Sequence, residues 1–210
     1  MLGNSLTYSW DIPSLIANMA AGAGELRPLV TAITGPFASL ESHWVGGAGL
    51  GPLRTGTYDV LIMQQIPPDN PDAYGFLLDW SGIWADEARR FPTRPFIYAV
   101  WPPEGGELDV AITNSTLAAN AKSMGLLPVA HAFRIAAQAS PAPPIYGLDG
   151  YNPSPHGAWL AALVMCAMLF ERPVADFPNV LTDRISAAEE AILRTAAAQA
   201  VAQFGLPGAP

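Results

Sequence analysis

The chain has 210 residues, 50% of them hydrophobic and 13% charged, which is enough for one domain with a substantial core. A net charge of −8 argues against nucleic acid and anionic membrane surfaces as partners, because like charges repel. The 21 prolines and 19 glycines exclude a helical bundle and suit many loops and strand ends.

In chain order, Asp11 to Ala23 predicts a helix, with Ile12, Leu15, Ile16 and Met19 on one face and Gly22 and Gly24 at its end. Residues 28–34 predict a strand. Residues 58–63 predict another, and their unbroken apolar run is that of a strand covered on both faces. Residues 72–91 have the spacing of an amphipathic helix. A strand over 94–101, closed by Pro102 and Pro103, precedes a helix over 108–124 and a last short strand over 126–132. Ser154 is a good N-cap with Pro155 behind it, and the helix they start runs to about Phe170. A final helix spans about 184–204. This alternation predicts one α/β domain over residues 1–210: a three-layer sandwich whose mostly parallel sheet is flanked by helices.

Only Met1 and Leu2 precede Gly3, where a central first strand should end, so that strand reads as truncated; strands commonly need ~5–6 residues. A start cut short upstream is the favoured account. As written, the chain carries no basic-then-apolar leader and reads as cytoplasmic, while an upstream extension would leave secretion open. The apolar stretch 158–170 is too short for a bilayer, which takes ~20 residues. Cys166 is the only cysteine, excludes an intramolecular disulfide, and reads as a small buried residue.

Two motifs stand almost at opposite ends: Gly3-Asn4-Ser5-Leu6-Thr7 and Leu148-Asp149-Gly150-Tyr151-Asn152-Pro153-Ser154-Pro155-His156-Gly157. Between them lie Ser39-Leu40-Glu41-Ser42-His43-Trp44 and Asp59-Val60-Leu61-Ile62-Met63-Gln64. Together, in this order over about residues 1–172, these blocks resemble the SGNH (GDSL-like) esterases. That resemblance implies an SGNH, flavodoxin-like sheet and ester hydrolysis through a serine, with aspartate and histidine support and an oxyanion hole. It implies no cofactor and no metal.

By the resemblance, Ser5 is the nucleophile and Asp149 the acid that orients an imidazole; read alone, they are a turn serine and a turn aspartate. Gln64 takes the place of the oxyanion-hole amide, or is a polar residue at a strand end. The hole is completed by the N–H of Ser5 and by a glycine that is displaced here. Counting back from Leu40 puts its place near Phe37, while Gly35, two residues upstream, is the glycine carried as the oxyanion-hole residue with Ser5 and Gln64. Where the family carries its catalytic histidine, this chain has Asn152. A neutral amide has no basic pair at pH 7.

Three histidines are candidates to replace that base. His131 reads as structural, in or just after the 126–132 strand. His43 reads as structural or substrate-contacting. His156, one helical turn beyond Asn152, is either the substitute base or a first-turn histidine without catalytic role, and a helix N-terminus disfavours its charged form. Three readings follow, one of them a purely structural protein or degraded gene product, suggested by the missing strand. Another is an esterase for small acyl esters, including acetyl esters of carbohydrates. The third is a catalytically impaired relative that binds a ligand or partner. Oligomeric state is not legible.

Overall fold

Met1–Gly3 enter the middle of a five-stranded, all-parallel sheet with strand order β2-β1-β3-β4-β5 in the computed structural model, which describes residues 1–204. The strands are β1 (Leu2–Gly3), β2 (Ile33–Thr34), β3 (Val60–Met63), β4 (Arg94–Tyr98) and β5 (Gly125–Leu127). The short first strand therefore holds the central place: Leu2 is registered with Ile33 on one side and Met63 on the other. The Met1 amine donates to Thr31 O at 2.6 Å, and Gln64 N to Leu2 O at 2.9 Å, so the pairing runs past the two strand residues. β3 forms because Leu61, Ile62 and Met63 are apolar on successive, opposite faces and all three are buried.

The chain groups into two compact units. The first comprises Met1–Tyr8 and Thr31–Leu127 and holds the whole sheet. Its helices are α1 (Ser5–Tyr8), α3 (Leu40–Val45), α4 (Leu50–Thr55), α5 (Pro71–Ala88) and α6 (Leu108–Ala121). α5 and α6 pack on β4, and α3 packs on β1 and α5. Trp84 of α5 is fully buried and donates its Nε1–H to Leu40 O at 2.9 Å, locking the start of α3. The chain is α/β, with a five-stranded parallel sheet flanked by helices.

The second unit comprises Ser9–Val30 and the chain from Pro128 onward. It is built from α2 (Ile12–Gly22), α7 (Val129–Ala137), α8 (Pro155–Phe170) and α9 (Ala187–Phe204). α8 is buried from His156 to Met168, and a helix apolar all round belongs at the centre of a bundle. It packs on α2, α7 and α9. Trp159 and Cys166 lie in this core, and burial pushes the Cys166 thiol up to about 12.

Three expectations change. The strand expected over 126–132 is only Gly125–Leu127, and His131 lies in α7. Pro128 is the reason: it lacks the N–H that the next ladder position needs, and an apolar helical face follows at Val129, Ala130, Phe133 and Ala136. Of the strand expected over 28–34, only Ile33 and Thr34 pair, and Leu29 is 90% exposed. β4 ends at Tyr98, although Ala99 N still donates to Leu127 O at 3.1 Å.

Candidate functional site

Strand order places the crossover reversal between β1 and β3, and open parallel sheets bind ligands at the carboxyl ends of strands beside that point. Ser5 lies there, two residues beyond the last residue of β1, and is half-buried. The residues around it are heavily bonded. Asn4 N donates to Gln64 Oε1 at 2.7 Å, Asn4 Oδ1 accepts from Leu6 N at 3.1 Å, and Asn4 Nδ2 donates to Ala38 O at 3.2 Å. Gly3 is needed on contact grounds: a Cβ there would collide with Thr7 Oγ1 and Gln64 Oε1. His43 is buried and its Nε2 sits 2.9 Å from Gly3 O; a carbonyl only accepts, so that nitrogen carries the proton. His43 thus braces the strand end that delivers Ser5.

Gln64 is fully buried. Its Oε1 accepts from Asn4 N and, at 3.0 Å, from Thr7 Oγ1, while its Nε2 donates to Gln65 O at 2.7 Å. In this arrangement the side chain ties β3 to the Ser5 loop. Gln65 turns toward α3 and accepts Leu40 N at 3.1 Å; its Nε2 is buried with no hydrogen-bond partner among the described residues, a place suited to a buried water.

The turn after β2 carries the displaced glycine position. Gly35 has ordinary room for a Cβ, the nearest atom being Ala38 Cβ at 3.7 Å. Phe37 instead has φ 56, in the left-handed region that favours glycine. Phe37 is 96% exposed. Counting back from Leu40 was the one sequence signal for this position.

The late motif forms a closed loop in the second unit. Gly147 N donates to Asn152 O at 2.7 Å and Ser154 N to Ile145 O at 3.0 Å, and Trp10 Nε1 donates to Pro153 O at 3.1 Å. Gly150, with φ 65, turns the chain. Asp149 Oδ1 accepts from Tyr151 N at 3.0 Å and Asn152 N at 2.9 Å, and Oδ2 accepts from Asn152 Nδ2 at 2.5 Å. The Tyr151 N–H first, and then the Asn152 amide, hold this carboxyl below the usual carboxylate range. Asn152 Oδ1 is buried without a hydrogen-bond partner among the described residues.

His156 is directed elsewhere. It is buried in the first turn of α8, with Nε2 3.2 Å from Glu189 Oε1. Glu189 also accepts from the Ser186 hydroxyl at 2.6 Å and from Ser186 N at 2.9 Å, a capping arrangement at the start of α9. Those two bonds, with His156 third, pull the carboxyl down to about 2. Glu189 lies far along the chain from His156, so no local motif links the two. His131 is also buried, its ring edge-on to Phe204 at 4.7 Å between centroids.

Three solved structures share this fold. A candidate SGNH hydrolase from Slackia heliotrinireducens matches with TM-score 0.68 and 24% identity, covering 80% of this chain and 96% of its own. A DUF4886 family protein from Bacteroides uniformis matches with TM-score 0.74 and 17% identity, covering 95% and 92%. The chain has the SGNH hydrolase fold. A lipase/acylhydrolase from Enterococcus faecalis matches with TM-score 0.59 and 12% identity, covering 79% and 91%. No protein-family model matches the sequence, and no curated protein matches it.

Proposed function

We propose that this chain is a serine esterase of the SGNH type, acting slowly on small acyl esters, acetyl esters of carbohydrates among them. Ser5 is the nucleophile, and the N–H groups of Ser5 and Phe37 are the donors to the developing oxyanion. The single observation behind the word slowly is the pairing of Asn152 with Asp149. The amide takes up the bond to the carboxylate that an orienting aspartate offers an imidazole. It leaves an acceptor, Asn152 Oδ1, but no base to remove the serine proton. Backbone donors and binding still lower the barrier, so hydrolysis is reduced and not abolished.

The bonding of the histidines favours a second reading, in which the site binds an ester or its acid without turnover. His43 Nε2 is engaged with Gly3 O, which ties that ring to the strand end, and His156 Nε2 lies against Glu189 of the second unit. A fluorophosphonate that labels activated serines separates the two readings. Slow, stoichiometric labelling at Ser5, seen by mass spectrometry and absent in Ser5→Ala, supports the esterase. An unlabelled, folded protein that hydrolyses 4-nitrophenyl acetate no faster than Ser5→Ala supports the binding protein.

A further inference from the structure

At the carboxyl ends of the three adjacent strands β2, β1 and β3, the polar side chains are turned inward and the apolar ones outward. Asn4, Gln64 and Gln65 are buried and bonded within the first unit. The residues that follow these strands outward are Phe37 at 96% exposure, Tyr8 at 41% and Ile66 at 43%.

Phe37 stands out because the fold holds it there against local preference. A bulky residue at φ 56 is uncommon, and such strain persists only where the surroundings over-determine it. The surroundings do so here. Ala38 N closes the turn on Gly35 O at 3.2 Å, and Ala38 O is held by the side chain of Asn4, the residue before Ser5. Ser39 N donates to Ser42 Oγ at 2.9 Å, and Leu40 N to Gln65 Oε1. The turn is therefore tied to the Ser5 loop and to α3, and the exposed ring is presented from a braced backbone. β1 and β2 are paired at Gly3 and Thr34, so Ser5 and Phe37 follow neighbouring strand ends by two and three residues.

We infer that Phe37 selects the ligand: its ring packs on a flat apolar group of the ester, so that aryl esters are favoured over methyl esters at this site. The inference rests on the esterase reading for the identity of the ligand, but the contact itself needs no turnover.

The test uses Ser5→Ala protein, which leaves the esters intact, titrated with phenyl acetate and with methyl acetate by NMR. Phenyl acetate should bind about 3–10-fold tighter, the range expected for one aromatic contact. The doubles Ser5→Ala/Phe37→Ala and Ser5→Ala/Phe37→Gly should lose that preference. Phe37→Gly relieves the left-handed backbone, so its melting temperature should match or exceed the parent's and it guards against a misfolded alanine variant. A preference retained in both folded doubles overturns the inference, as does equal binding of the two esters to Ser5→Ala. If the ring preference behaves as expected while the fluorophosphonate fails to label Ser5, the esterase reading falls and the Phe37 contact stands.

Discussion

On the esterase reading proposed above, replacing Asn152 by histidine should raise the rate by the factor a positioned base contributes. Asp149 is already organised: its carboxylate accepts two backbone N–H groups and the Asn152 amide, and it is held ionised by them. An imidazole at 152 can give its Nδ1–H to the same Oδ2 that now accepts the amide, which fixes its tautomer. Within the 149–152 loop, then, the orienting carboxylate is in place and a basic group is absent. The substitution should therefore supply the general-base factor, ~10²–10⁴ in kcat/KM, or ~3–5 kcal/mol of barrier. The assay is hydrolysis of 4-nitrophenyl acetate from pH 5 to 8.5. Asn152→His should add a limb that rises with pH around or above ~6.5, because a free imidazole is the active form and the nearby carboxylate favours its protonated form. The parent should lack that limb. Asp149→Asn in the Asn152→His background should remove most of the gain. A gain under threefold in a variant with unchanged melting would refute the reasoning, as would a gain that survives Ser5→Ala. Should the parent's rate collapse in His156→Ala instead, the base is His156.

Other consequences follow from packing and capping. Gly3→Ala forces a Cβ onto Thr7 and Gln64 in a fully buried setting and should lower stability by ~1–3 kcal/mol in urea unfolding; an unchanged midpoint would show that the loop yields. Ser154→Ala removes the cap of α8, whose hydroxyl accepts Gly157 N at 3.2 Å and donates to Pro144 O, and should cost ~1–2 kcal/mol by the same assay. Glu189 is held at about 2 against a usual 4.5, so it stabilises the fold fully above pH 4.5 and loses that effect as pH falls toward 2. Glu189→Gln should flatten the decline of stability across that window, and an equally steep decline in the variant would show that other carboxylates govern it.

What was legible in the sequence is what depends on neighbours along the chain. Val60–Met63 read as a doubly covered strand because burial on both faces demands an unbroken apolar run. Ser154-Pro155 announced α8 to the residue, since a cap and a first-turn proline are local devices. Pro128 could have stopped the last strand in the same way, but the apolar run on both sides of it concealed the change of period from two to 3.6. The candidate site was legible in its residue types and not in their bonding. Gln64 stands where a donor amide was expected, yet which of its atoms faces Asn4 is decided by β1 and β3 lying side by side, a fact of the sheet. His156 has helical spacing from Asn152, but its nearest charged partner comes from α9, whose distance along the chain hides it from any motif. The asparagine itself was the plain signal. An asparagine at 152 keeps a hydrogen bond to Asp149 and carries no basic pair, and it is on that local observation that the proposed slow turnover rests.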